Sequence, residues 1–108
     1  MISVPLAKKL LKIMKIKTLN VNLGGKELKF KMGLLAILTY ESITGKTFYG
    51  KTLYDFILLM YSAIISSNQA EKLSFGDFVE YLDDNPEVMQ EMMSYITEYY
   101  TAGHVAED

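Results

Sequence analysis

Eight residues, Gly45 to Thr52, read GKTFYGKT and match G-x-x-x-x-G-K-[ST], the pattern of a phosphate-binding nucleotide loop. In that chemistry glycine-rich backbone amides cradle the phosphates, the lysine reaches the β/γ-phosphates and the closing hydroxyl sits on magnesium. Gly45, Gly50, Lys51 and Thr52 would then be the cofactor-binding residues. Such a loop needs a buried strand before its first glycine and a helix after its lysine. Residues 39–44, TYESIT, instead end an amphipathic helical pattern. A parallel α/β sheet also needs repeated βαβ units of about 30 residues each, and the residues after Thr52 read nearly all helical. An apolar run ending in a magnesium-binding Asp is missing too, since FVEYLDD carries Glu80 on a helical period. The segment therefore reads as a joint between two helices, with Gly45 as the stop and Thr52 as the start. Phosphate or nucleotide binding is the alternative reading, and no cofactor is expected.

The remaining chemical candidates are structural on inspection. Asp83, Asp84 and Glu87 lack the alternating acids, central glycine and closing Glu of a calcium loop. Acids at a helix start are already favoured by the helix dipole, so no metal is expected. His104 stands alone in a polar tail with no partner for acid–base work. A DNA-reading helix beginning at Pro86 would carry Glu87, Glu91 and Glu98 and no basic residue, so phosphate repulsion excludes it. No catalytic constellation results, and the expected protein is not an enzyme.

The elements that position these residues can be read from periodicity. Ser3 and Pro5 mark a helix start, and Leu6, Leu10, Ile13 and Met14 fall on one side among lysines. This basic segment, residues 1–16, is read as a terminal helix packing on its own domain rather than on a membrane. In KTLNVNLGGKELKFKM two alternating strands flank Gly24 and Gly25, which supply the positive φ angles of a two-residue hairpin turn. A two-residue loop pairs Leu23 with Lys26, Val21 with Leu28 and Leu19 with Phe30, placing the apolar side chains on one face.

LLAILTYESIT follows as a helix stopped by Gly45, with apolar residues around most of its axis, which predicts contact on more than one side. Thr52 caps a second helix to about Ser67, where Asp55, Ser62 and Ser66 form a narrow polar stripe. The rest of that helix, including Leu53, Phe56, Ile57, Met60, Ile64 and Ile65, is apolar, the pattern of a central, mostly buried helix. Ser74 and Asp77 form a capping box before Phe75, Phe78, Val79 and Leu82. Asn85 and Pro86 start the last helix, lined by Met89, Met92, Met93, Ile96, Tyr99 and Tyr100. Residues 101–108 read as a flexible tail. The expected architecture is α+β: an N-terminal hairpin packed on a bundle of about four helices, with one domain over residues 17–100.

Composition bounds the setting. The chain has 108 residues, half of them hydrophobic, enough for one modest core. Cysteine is absent, which excludes a disulfide framework and thiolate metal sites. Lysines break every early apolar run, and the longest apolar stretch is short of the roughly 20 residues that span a bilayer. A soluble cytoplasmic protein is expected. The net charge of −2 hides strong polarity. Through Lys51 there are ten lysines against Glu27 and Glu41; from Thr52 onward Lys72 stands against eleven acids. That asymmetry suits head-to-tail contact between copies or a partner that meets only one end, while charges solvating two faces of one domain are the plainer reading. Tyr40, Met92, Tyr95, Tyr99 and Tyr100 are the candidate partner-binding residues, because aromatic and methionine side chains suit adaptable interfaces.

The layout resembles a known family. A hairpin reading L-x-V-x-L-G-G-K-E-L-K-F-K-M-G runs into a helix ending Y-E-S-I-T-G-K-T-F, in which E-x-x-T-G-K is a recurrent helix end. A long apolar helix follows, then L-S-F-G-D-F-V-E-Y-L-D-D-N-P-E and a closing amphipathic helix. Over residues 17–100 this is similar to the small tail assembly chaperones of long-tailed phages and prophages. The resemblance implies a non-enzymatic protein of the bacterial host cytoplasm. It implies binding to the tape-measure protein, assistance to tail-tube assembly and self-association, with no nucleic-acid or membrane partner.

Overall fold

The computed structural model describes residues 18–101; the basic N-terminal segment and the tail with His104 lie outside the described residues. An antiparallel hairpin, β1 (Thr18–Leu23) and β2 (Lys26–Lys31), is followed by four helices. These are α1 (Leu34–Thr44), α2 (Leu53–Ser67), α3 (Phe75–Asp84) and α4 (Pro86–Thr101), giving the expected α+β fold. Thr101, read from the sequence as the first residue of the tail, belongs to α4.

The hairpin register is the one the alternation demands. Leu19 faces Phe30, Val21 faces Leu28, and Leu23 faces Lys26. Gly24 and Gly25 both take positive φ, 64° and 84°, the mirror-image turn that matches strand twist. The Asn22 side chain fixes the turn by accepting from the Gly25 N–H at 2.9 Å. One face, Val21, Leu23, Leu28 and Phe30, is buried while Asn20, Asn22, Glu27 and Lys29 face outward. The buried face meets α4, where Phe30 and Tyr95 pack edge to face with centroids 5.4 Å apart.

Helix α2 is the centre of the molecule and packs against α1, β2, α3 and α4. Leu59, Met60 and Ala63 are fully enclosed. The polar stripe, however, does not face water: Asp55 and Ser62 are buried and Ser66 is half-buried. With neighbours on most sides, α2 has no outward face wide enough for the stripe. Ser62 donates instead to the Leu58 carbonyl at 2.8 Å and Ser66 to that of Ala63 at 3.3 Å, the local backbone bonding that lets a hydroxyl sit inside a helix bundle.

The end of α2 is tied to the sheet by one side chain. Asn68 accepts from the Lys29 N–H at 3.1 Å and donates to the Lys29 carbonyl at 2.7 Å, as a neighbouring strand would. The same amide donates to the Ile64 carbonyl, closing α2. Asn85 works in a similar way between α3 and α4. Its side chain turns back to donate to the Tyr81 carbonyl at 3.0 Å rather than forward onto α4. Only its backbone carbonyl serves the start of α4, accepting from Val88 and Met89. Ser74 caps α3 as expected, accepting from the Asp77 N–H at 3.1 Å.

Candidate functional site

The glycine-lysine segment is a connection between α1 and α2. Gly45 takes φ 73° and donates its N–H to the Glu41 carbonyl at 2.7 Å, ending α1 in the left-handed cap. Thr52 accepts from the Asp55 N–H at 3.1 Å and starts α2. Between them Phe48 anchors the connection. Its ring meets those of Phe56 at 5.3 Å, Tyr40 at 5.4 Å and Tyr100 at 5.7 Å. Gly50, φ 67°, lets the chain pass under these rings: a Cβ there would lie 3.2 Å from the Phe56 ring.

This arrangement differs from that of a phosphate-binding loop. A helix precedes the first glycine where a buried strand is required. The start of α2 is occupied by a carboxylate, since Asp55 is buried there and would repel an anion. The depression over the joint is lined by Phe48, Tyr49, Gly50, Phe56, Ile96, Thr97, Tyr100 and Thr101, with no cationic side chain. The two lysines point to other partners. Lys46 forms an ion pair with Asp55 at 3.3 Å, and Lys51 lies 5.8 Å from the centre of the Tyr49 ring.

Asp55 joins the two helices electrostatically. Tyr40 of α1 donates its hydroxyl to Asp55 at 3.4 Å. Burial alone would raise the Asp55 pKa, but hydrogen bonding and charge from Lys46, with the Thr52 and Tyr40 hydroxyls, hold it below its usual value. The Tyr40 phenol is pushed up, first by burial and then by the Asp55 charge. These shifts describe a satisfied core cluster that fastens α1 to α2.

Of the five residues expected to contact a partner, four lie in the core and Tyr100 packs against it. Tyr40 and Met92 are fully enclosed, and Tyr95 and Tyr99 keep 8 % and 7 % of their surface. Tyr100 is half-buried against Phe48 and Tyr99. Helix α4 turns its tyrosines inward because the hairpin, α2 and the joint all need large side chains to fill the space between them. Burial drives the phenols of Tyr95 and Tyr100 up to about 12, with Glu98 adding to the first. Burial also raises Tyr99. The Tyr95 hydroxyl has no hydrogen-bond partner among the described residues.

The accessible apolar surface lies elsewhere. On α1, Leu34, Leu35 and Leu38 are 71 %, 54 % and 51 % exposed. At 3.6 residues per turn they cover about 100° of the helix, opposite the buried Ala36 and Tyr40. Among the described residues α1 packs chiefly on α2, and the side carrying these leucines meets no other element. The signal was in the sequence, as leucines around the whole axis of a helix at the edge of the fold. A depression beside Leu34 and Leu35 is rimmed by Lys29 and Lys31.

Among the described residues no group of three or more His, Asp or Glu side chains could hold a metal ion, and no helix is long and apolar enough to cross a membrane. Comparison with protein-family models, curated proteins and solved structures gives no match.

Proposed function

We propose that the protein is a non-enzymatic binding module that acts as a tail assembly chaperone, holding helical segments of a tape-measure protein and assisting tail-tube assembly around it. The observation that carries this reading is the exposed leucine face of α1. Three large, exposed apolar side chains lie together on one side of a helix whose other side is packed on α2, the kind of grouping that marks a contact surface. Such a face suits a groove-less, helix-to-helix contact in which the partner lays its own apolar stripe against Leu34, Leu35 and Leu38. The sequence resemblance over residues 17–100 supplies the identity of the partner. The filled, aromatic joint at residues 45–52 supports a role without nucleotide.

Co-expression with a candidate tape-measure protein tests the proposal. A stable complex is expected with the wild-type chain, and its loss with Leu35→Asp combined with Leu38→Asp. Absence of a complex with every neighbouring tape-measure and tail-tube candidate overturns it. Titration with ATP and magnesium supplies the opposite check: tight binding that disappears in Lys51→Ala would replace the chaperone reading with a nucleotide site.

A further inference from the structure

Two apolar surfaces of the molecule carry opposite charge. The first is the N-terminal end of the α1 leucine face. There Leu34 and Leu35 project beside Lys29 and Lys31 of β2, and no acid lines the depression they share. The second is a groove between the start of α2 and the outer sides of α3 and α4. It is lined by Leu53, Ile57, Val79 and Met89, with Glu80 and Asp83 beside them and no cation. Leu53 is 56 % exposed and Val79 36 %. The acidity extends beyond those two carboxylates: from Leu73 to Thr101 there are seven and no lysine or arginine.

Each surface offers what the other lacks. Leucines flanked by lysines suit an apolar groove flanked by carboxylates, because opposite charges steer and register a contact whose apolar centre is buried. We infer that the leucine–lysine surface of one copy seats in the acidic groove of a second copy, a head-to-tail contact. One chain cannot make this contact within itself. Ser66 and Ser67 at the end of α2 line the first surface, Leu53 and Ile57 at its start line the second, and both surfaces are fixed on one packed core. Pairing like surfaces would set lysines against lysines or carboxylates against carboxylates. A contact between unlike surfaces leaves one of each free, so it continues to further copies. The inference does not rest on the chaperone reading, but the two meet at Leu34 and Leu35, where a partner helix laid on α1 would have to displace a copy.

Sedimentation of the full chain alone, over a range of concentrations, tests it. Wild type is expected to pass beyond a dimer. It should associate more weakly in 1 M than in 0.1 M salt, because screening shortens from about 10 Å to about 3 Å. Lys29→Glu with Lys31→Glu, and separately Glu80→Lys with Asp83→Lys, should each weaken association by about tenfold or more, since like charges then face each other. All four side chains are exposed, so circular dichroism should show the fold retained. An equimolar mixture of the two variants should recover association, because every acidic surface again meets a basic one. A wild-type chain that stays monomeric overturns the inference, as it would if another segment of the same chain or only a foreign partner filled these surfaces. So does a chain that stops at a dimer, association indifferent to the charge variants, or a mixture that does not recover. A tape-measure complex formed by a chain that is monomeric alone would leave the proposed function standing while this contact falls. Self-association without any such complex would do the reverse.

Discussion

Helices α1 and α2 follow one another, are both dominated by apolar side chains, and end in opposite environments. In α2, seven residues are buried, including a carboxylate and a hydroxyl. In α1 only Ala36 and Tyr40 are buried, while three leucines face outward. The difference is one of neighbours. α2 is enclosed by α1, β2, α3 and α4, so even its polar stripe must be satisfied internally; α1 leans chiefly on α2. Hydrophobic composition thus determines what a helix can bury, and the number of packed neighbours determines what it does bury. The leucines left over on α1 are the surface from which the function is proposed.

Truncating one leucine in each helix gives the sharpest test of this contrast. Leu59→Ala in α2 should destabilise the fold by about 2–5 kcal/mol, the cost of a cavity in an enclosed site. Leu35→Ala in α1 should change stability by no more than about 0.5 kcal/mol. Urea unfolding midpoints measure both. A large loss at Leu35 would mean that the outer side of α1 is covered within the chain, and the contrast would collapse.

The joint between the two helices should respond next. Gly50→Ala places a side chain at φ 67° and within 3.2 Å of Phe56, and should cost about 1–2 kcal/mol. Gly45→Ala, with the same backbone strain but nothing within 4 Å of the added Cβ, should cost less. Equal losses would show that the aromatic packing around Phe48 does not restrict the connection.

A comparable effect is expected at the other end of α2. Asn68→Ala should destabilise by about 1–2 kcal/mol through the lost bonds to Lys29 and Ile64. Asn68→Asp keeps the acceptor but loses both donated bonds, so it should not restore the wild-type midpoint. Rescue by Asp would show that the two donated bonds contribute little.

The smallest effects concern pH. The folded pKa of Asp55 lies below its ordinary value, so its contribution is present above the unfolded carboxylate range and is lost as pH falls through the lowered folded value. Asp55→Asn should flatten the acid side of a stability-versus-pH profile. Tyr95 and Tyr100 behave in the opposite sense. Their folded values of about 12 exceed the ordinary phenol value, so stability holds below about pH 10 and falls as pH rises toward 12. Tyr95→Phe should remove part of that alkaline loss. It should also raise neutral-pH stability by about 1 kcal/mol, because the buried hydroxyl has no partner among the described residues. A loss of stability in Tyr95→Phe would contradict an unpartnered hydroxyl.

Sequence and structure divide along physical lines. Alternation and paired glycines were enough for the hairpin and its register, because strand period and turn geometry are local properties. Caps at Gly45, Thr52 and Ser74 were equally legible, since each depends on a residue type within three or four positions of a helix end. What the sequence could not decide was which side of each element meets another. A narrow polar stripe on α2 does not say which elements cover it, and four neighbours do; methionines and tyrosines on α4 suit an interface as well as a core. The surroundings of the loop with a nucleotide-site pattern came only from the fold: beyond Gly45, which ends a helix, the Phe48 ring packs against Tyr40, Phe56 and Tyr100. Local backbone chemistry is written residue by residue, whereas burial depends on the simultaneous placement of elements far apart in the chain, and only the tertiary structure supplies that.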